Sequence, residues 1–425
     1  MTIIIFIGSL LVLIGLNIPI AFALLMSSIV LMFYLDAFSM EMLAQSLING
    51  SNNFSLLAIP FFILAGELMN HGGISKRIVD FAMALVGHIK GGIGYTAIMA
   101  SVIFAGLSGS AIADTAALGA ILIPMMVSKG YDRKTSTGLI ASGGIIAPML
   151  PPSIPLIVFG VASGVSITKL FMAGIIPGIM IAVGLTITWW FISRKKDFVV
   201  EERKNIKGIF AAFMRAIWAL FMPVIIIVGL RGGIFTPTEA SVVAVVYALF
   251  VGVVIYRELN LKLIYYSLLN AVKMSSTIMF LVAAAMVSSL VITIANIPMT
   301  LSNLMEPLIG NQLLLMIVIS LLVLVIGMIM DLTPIVLILT PILMPLITLA
   351  GIDPVYFGVI FILNCCIGML TPPVGVVLNV AASVGKLSFE DTVKGVFPFL
   401  LVEVVVLILL ILFPSLILVP LEWFT

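Results

Sequence analysis

Charge is what this chain has least of. Only 9% of its 425 residues are Asp, Glu, Lys or Arg, two are cysteine and two are histidine. So few charges cannot solvate a water-soluble domain of this length. With 63% hydrophobic residues and a mean hydropathy of +1.35, the composition is that of a polytopic membrane protein. A net charge of +2 offers no electrostatic footprint for nucleic acid. Cys365 and Cys366 are adjacent inside an apolar stretch, where neighbours rarely pair. They read as small buried hydrophobes and say nothing about redox compartment. His71 and His88 both fall in a charged segment between apolar runs, which leaves no histidine inside a span for nucleophilic chemistry. There is no GxxxxGK(S/T) loop, so this chain carries no ATP site of that kind. Met1 begins an apolar run without a basic n-region or a small-residue cleavage site, which predicts a retained span rather than a signal peptide.

Apolar length takes the place of charge. Runs at 1–35, 56–69, 170–192, 241–256, 311–330 and 402–420 recur through the whole chain and leave no room for a soluble domain. They are arranged as a repeat. Adding 221 to a residue number between 46 and 177 lands, without a gap, on a counterpart between 267 and 398. Pro124 meets Pro345, Gly130 meets Gly351, Asp132 meets Asp353, Pro151 and Pro152 meet Pro372 and Pro373, and Pro177 meets Pro398. Over these 132 columns one copy holds seven prolines and the other nine, for which chance gives roughly 0.5 coincidences; four occur. Proline fixes φ and removes a backbone donor, so the repeated property is a pattern of backbone breaks.

Lysine and arginine collect in cytoplasmic loops, and two copies inserted in opposite senses should carry opposite loop charge. Segment 71–94 holds Lys76, Arg77, Asp80 and Lys90 for a net +2, whereas 292–315 holds only Glu306. Segment 129–134 holds Lys129, Asp132, Arg133 and Lys134 for +2, against Asp353 alone at 350–355. The first connection reverses the sense, with Asp36 and Glu41 set against Arg257, Glu258, Lys262 and Lys273. The pattern predicts inverted-topology repeats over 1–193 and 218–425, joined by a basic cytoplasmic linker at 194–217, with both chain ends periplasmic or external.

Each copy is expected to hold a re-entrant helical hairpin and a broken helix. The run at about 92–128 must begin and end on the cytoplasmic side, yet it is too short for two spans of about 20 residues. Its small, polar tip is Gly106, Leu107, Ser108, Gly109 and Ser110; the second hairpin covers about 311–349, with its tip between Gly327 and Pro334. The broken helices fall at about 134–162 and 355–384, at the double prolines of GGIIAPMLPPSIP and NCCIGMLTPPVG. A break frees carbonyls at one half-helix end and N–H groups at the next, which suit a cation and an anion respectively. Two tips and two breaks related by inversion would meet near the membrane midplane, where secondary transporters hold substrate and ions. Further breaks at 15–19 and 232–237 are expected to be turns between two short segments at the start of each copy.

At these residues the sequence resembles a known family. GLSGSAIADTAALGAILIPMM at 106–126, SGGIIAPMLPPSIP at 142–155, FTPTEA at 235–240, MDLTP at 330–334 and LTPPVG at 370–375 are similar, in order and spacing, to the large membrane subunit of tripartite ATP-independent periplasmic (TRAP) transporters. The resemblance covers essentially the whole chain. It implies an all-α polytopic fold of two inverted repeats, of the elevator type found in the ion transporter superfamily. It implies a secondary active importer that moves an organic acid with sodium across the bacterial inner membrane. The acid would arrive on a soluble periplasmic substrate-binding protein, and a small membrane subunit of about four helices would be a separate chain. No cofactor is implied beyond sodium as the coupling ion. Carried over residue by residue, one sodium site falls between Ser108, Ser110, Gly143, Gly144 and Pro148, and the other between Met330, Thr333, Gly368, Thr371 and Pro372. Substrate contacts fall to Ser110, Asp114, Ser153, Asp331 and Asn364, with Pro151, Pro152, Pro372 and Pro373 as the structural breaks. Sodium is a hard cation served by hydroxyl and carbonyl oxygens, which fits these sets; the same serines and threonines could equally cap or pack helices.

Asp114 and Asp331 sit near hairpin tips in apolar surroundings, where a centred carboxylate costs roughly 2.5 to 3.5 kcal/mol. That cost points to a role, and capping of the following half-helix is the structural alternative for each. Glu67 and Glu403 are similar cases, while Glu239 follows Pro237 and Thr238 as a helix start would require. Gly106 to Gly109 also spell the GxSG of rhomboid intramembrane proteases, a reading that needs a histidine beside the serine. A passive channel working without a sodium gradient, and a permease driven by an ATPase on another chain, are the other transport readings. The residues do not distinguish C4-dicarboxylates from sugar acids, keto acids or sialic acids.

Overall fold

The computed structural model describes residues 1–194, 198 and 202–424, and among these the chain is helical throughout, with no strand. The first half contains α1 (Thr2–Gly15), α2 (Ile20–Tyr34), α3 (Met40–Ser51), α4 (Ala58–His71), α5 (Ile74–Val86), α6 (Gly92–Ser108), α7 (Ala111–Ser128), α8 (Arg133–Gly144), α9 (Ile154–Ser163) and α10 (Ile167–Arg194). The second contains α11 (Ile206–Arg231), α12 (Pro237–Phe250), α13 (Leu261–Ile294), α14 (Ile297–Leu304), α15 (Glu306–Ile309), α16 (Gln312–Gly327), α17 (Leu332–Leu349), α18 (Pro354–Met369), α19 (Val376–Gly385), α20 (Phe389–Leu412) and α21 (Ser415–Phe424). Eight described stretches are long and apolar enough to cross a bilayer. Their outer faces stay apolar: Phe210, Trp218, Phe221 and Val228 form one exposed stripe along α11.

Helix breaks inside an apolar layer leave N–H groups with no water to bond, each costing several kcal/mol if unmet. At the first break a side chain meets that need, Ser153 accepting from Leu156 N at 3.2 Å to start α9, whereas α19 at the second break starts after Gly375 without a side-chain cap. At their loop ends, Asp132 accepts from Thr135 N at 2.8 Å to start α8, and Asp353 from Val355 N and Tyr356 N at 2.8 and 2.9 Å to start α18. The Pro151–Pro152 and Pro372–Pro373 peptide bonds between the half-helices are both cis. Helices α16 to α20 each begin within one residue of the position 221 beyond the start of α6 to α10.

The copies part company elsewhere. The first breaks its chain between α3 and α4, where Asn52 closes α3 and the Asn53 side chain accepts from Ser55 N at 2.9 Å. The second runs straight through as α13, 34 residues and about 51 Å long. The segment before the 232–237 break is not short: α11 has 26 residues, whereas α1 has 14. Segment 71–94 is not a loop but mostly α5, an amphipathic helix with Ile74, Ile78, Val79 and Ala82 buried. Its Arg77 pairs with Glu258 at 2.7 Å and stands 3.8 Å over the Tyr256 ring, and nearby Lys90 donates to Arg194 O at 3.5 Å. Lys273 likewise belongs to no connection; it lies on the fourth turn of α13. Within the expected linker, the Asn205 side chain accepts from Gly208 N at 2.8 Å and starts α11 well before 217. Residues 195–197 and 199–201 of that basic segment lie outside the described residues.

Helices α6 to α10 interleave with α16 to α20, while α2, α3, α4, α12 and α13 pack on one another. The broken helices run through the middle of the first group, with every residue from Ser136 to Gly144 and from Val355 to Met369 buried. Small residues allow this closeness. At the α8–α20 crossing, a Cβ on Gly138 or on Gly395 would strike the other helix's backbone. A Gly138→Leu variant is therefore expected to lose about 3 kcal/mol or more of stability, read as a collapse of the monodisperse fraction in size-exclusion chromatography. Gly208→Leu, whose nearest neighbours are side-chain atoms at the start of α11, is the control expected to elute as wild type.

Candidate functional site

Helix α6 runs through Ser108, so of the tip expected at Gly106 to Ser110 only Gly109 and Ser110 form the turn. Gly109 has φ +63°, and a Cβ there would collide with Pro152 O and lie 3.1 Å from Ser153 Cα. The first hairpin tip thus rests directly on the backbone of the first break. The arms are longer than a hairpin turning at mid-bilayer requires: 17 and 18 residues, or about 26 and 27 Å. Ser110 caps α7 by accepting from Ala113 N at 3.4 Å. The Ser108 hydroxyl donates to Asp114 Oδ1 and accepts from Ser110 N at 3.2 Å. Asp114 is 1% exposed, and its second carboxylate oxygen has no hydrogen-bond partner.

Two more buried hydroxyls without partners, those of Ser101 on α6 and Thr115 on α7, face the C-terminal end of α8. A Cβ on Gly143 would sit 2.5 Å from Ser101 Oγ, and one on Gly144 would strike Thr115 Oγ1. At that end Gly143 O accepts from Ile146 N at 3.2 Å, Gly144 O from Ala147 N at 3.2 Å, and Pro148 O from Ser153 Oγ at 2.6 Å. A carbonyl with a single donor keeps a second lone pair. Ser101 and Thr115 escaped the sequence reading. Ser101 lies seven residues before Ser108 on the same face of α6, and Thr115 adjoins Asp114; both signals were present, though weak among so many membrane serines and threonines.

The second half is built differently. Helix α16 ends at Gly327, the turn spans Met328 to Asp331, and Asp331 caps α17 by accepting from Leu332 N at 2.8 Å. Met328 O accepts from Val374 N at 3.2 Å and Gly375 N at 3.1 Å, so the second tip is tied to the second break by backbone hydrogen bonds. A Cβ on Gly368 would lie 2.7 Å from Gly327 Cα, which makes both glycines necessary for the approach. Thr371 donates to Ile367 O at 2.8 Å, while Met330, Thr333 and Pro372 are half-buried around the turn.

Both tips and both breaks open on one cavity of about 980 Å³. Gly109 to Ala113, Pro148 and Ile154 line it from the first half, and Asp331 to Pro334 with Met369 from the second. The facing wall is the start of α2, Pro19 to Phe22, and the Lys273 to Leu281 stretch of α13. Of the five expected substrate contacts, Ser110 and Asp331 line the cavity. Asp114, Ser153 and Asn364 are buried and do not line it; Asn364 donates to Ser320 O at 2.7 Å.

The glutamates separate clearly. Glu239 completes a capping box with Thr236, and Glu67 accepts from Asn270 Nδ2 at 3.3 Å. Glu403 is fully buried on α20 beside Ser142, with neither carboxylate oxygen hydrogen-bonded. Ser108 of the GxSG sequence bonds Asp114 rather than a histidine, and His71 instead shares a 2.9 Å hydrogen bond with Ser267.

Similarity to known proteins agrees with this geometry. A family model described as the DctM component of the tripartite ATP-independent periplasmic transporter matches residues 7–416. The chain is 55% identical over 423 residues to the 2,3-diketo-L-gulonate TRAP transporter large permease protein YiaN of Escherichia coli, covering 100% of both. It is 38% identical over 397 residues to the sialic acid TRAP transporter large permease protein SiaM of Vibrio cholerae, covering 93% of both chains. With the C4-dicarboxylate TRAP transporter large permease protein DctM of Rhodobacter capsulatus it shares 34% over 429 residues, covering 98% of each. These relatives are permease subunits, not enzymes. Among solved structures, the Alcanivorax borkumensis YdaH transporter superposes with a TM-score of 0.63 over 89% of both chains at 12% identity, a likeness of fold alone.

Proposed function

Since the chain belongs to the DctM component family of tripartite ATP-independent periplasmic transporters, we propose that it imports an organic acid across the bacterial inner membrane, coupled to sodium. The carrying observation is the convergence of two hairpin tips and two helix breaks on one cavity. In the first half, Asp114, Ser108, Ser101 and Thr115 supply carboxylate and hydroxyl oxygens, and Gly143, Gly144 and Pro148 supply carbonyls. This donor set fits a hard cation. The second half, with Thr333, Thr371 and the carbonyls around Met330 and Gly368, offers a leaner set for a second sodium. Substrate sits in the cavity between the tips and α13.

The interleaved group of helices would carry the two half-sites past the group built on α4, α12 and α13, an elevator motion. A small membrane subunit and a periplasmic binding protein complete the system, and both chain ends face the periplasm. Identity of 55% over the full length to a 2,3-diketo-L-gulonate permease favours a sugar-derived keto acid as cargo. Proteoliposomes containing this chain and its small subunit, given the binding protein and labelled 2,3-diketo-L-gulonate, should accumulate label only with an inward sodium gradient. Equal uptake after the gradient is collapsed would show a passive channel instead.

A further inference from the structure

Lys273 differs from every other charge at the cavity. It lies twelve residues into α13, about 18 Å from the helix start, and not in a connection. Its counterpart 221 positions earlier is Asn52, where the first copy ends its helix. The second copy continues the helix and places a long basic side chain at that point. Among the described residues lining the cavity it is the one cation, and Asp331, at the second tip, is the one acid. No carboxylate among the described residues lies within ion-pairing distance of its ammonium. The Ser276 and Thr277 hydroxyls, which line the cavity beside it, both donate to Lys273 O at 3.0 Å, which leaves the ammonium as the free side-chain donor among the α13 residues of the lining.

We propose that Lys273 binds the carboxylate of the transported acid from the α13 wall. The proposal rests on the import reading above and adds a residue to it. A carboxylate entering an apolar cavity loses water and must find charge or several donors. An ammonium supplies both, with three N–H groups on a flexible stem. Asp331 repels the same carboxylate from the second hairpin, and so orients the acid with its charged end toward α13 and its hydroxyl or carbonyl end toward the tips. Lys273 and the tips lie on different helix groups, so this contact would form and break as those groups move relative to each other.

The test uses the complete system in proteoliposomes, with labelled 2,3-diketo-L-gulonate as probe under an inward sodium gradient. Lys273→Met should lower initial uptake by at least about tenfold, the order expected of one charge-assisted hydrogen bond. Lys273→Arg should recover at least about half the wild-type rate, and Lys262→Met, at the exposed start of the same helix, should match wild type. All three should melt as wild type does. Wild-type uptake by Lys273→Met would overturn the inference and show a lysine that merely extends toward headgroups. A folded Lys273→Arg as defective as Lys273→Met would overturn it too, since charge would not be what matters. Failure of the wild type to take up the probe sinks the import reading, and this inference with it; normal wild-type uptake with an undiminished Lys273→Met sinks this inference alone.

Discussion

Exchanging Asp114 for asparagine is expected to reduce sodium-driven uptake by about a hundredfold or more, with little change in the amount of folded protein. The carboxylate is 1% exposed, one oxygen takes the Ser108 hydroxyl, and the other has no protein partner. The Ser101 and Thr115 hydroxyls, also without partners, point at the end of α8 from the same hairpin. Unmet buried groups of this kind cost about 1 to 3 kcal/mol each, and a cation bound among them would meet several at once. Asparagine keeps the shape and the bond to Ser108 but gives up the charge and turns an N–H pair toward the cation. A loss of about 3 kcal/mol in ion binding corresponds to a factor of roughly 100. Asp331→Asn provides the contrast, because that side chain caps α17 and an asparagine cap serves nearly as well. Initial uptake measured against sodium concentration should shift far to higher sodium for Asp114→Asn and little for Asp331→Asn. Superimposable sodium curves for wild type and Asp114→Asn would remove Asp114 from the ion site.

The sequence was readable where a local rule acts and unreadable where distant packing decides. The paired prolines mark the broken helices because a missing donor is a local fact, and α8 with α9 and α18 with α19 flank them in the structure; Asp132 and Asp353, matched in the repeat, turn out to cap α8 and α18. Gly106 and Gly327 misled as turn residues. A Cβ on Gly106 would lie 3.0 Å from Pro223 of α11, and Gly327 faces Gly368, so both are small for close approach and remain helical. Segment 71–94 showed its amphipathic spacing at Ile74, Ile78 and Ala82, but counting charges over it concealed the helix. The continuity of α13 had no local signal, because Lys273 and Met274 are simply less disruptive than Asn52 and Asn53 at the same repeat position. Ser101, Thr115 and Lys273 depend on which helix faces which, a tertiary property. The two halves therefore share backbone breaks while differing in side-chain chemistry, and the sequence repeat reported only the breaks.

That difference gives the last expectation, an effect confined to the first half-site. Gly109→Ala should abolish most uptake and lower the melting temperature, whereas Gly130→Ala should do neither to a comparable degree. Both glycines are left-handed, at φ +63° and +83°, so alanine pays about 1 to 2 kcal/mol of backbone strain at either. Around Gly130, in the turn between α7 and α8, nothing lies within 4 Å of an added Cβ. At Gly109 the Cβ would meet Pro152 O and Ser153 Cα, backbone atoms of the break that cannot rotate aside. The tip must then withdraw, carrying Ser108 and Ser110 away from Pro148 and the end of α8. Position 330, the repeat counterpart of Gly109, is Met330, and the second tip is held instead by Met328 O and the Val374 and Gly375 N–H groups, so it is untouched. Thermal melts and sodium titrations of the two variants side by side subtract the shared strain and leave the tip-to-break contact. Equal losses in both variants would mean that strain alone governs Gly109 and that the first tip does not need its seat on the break.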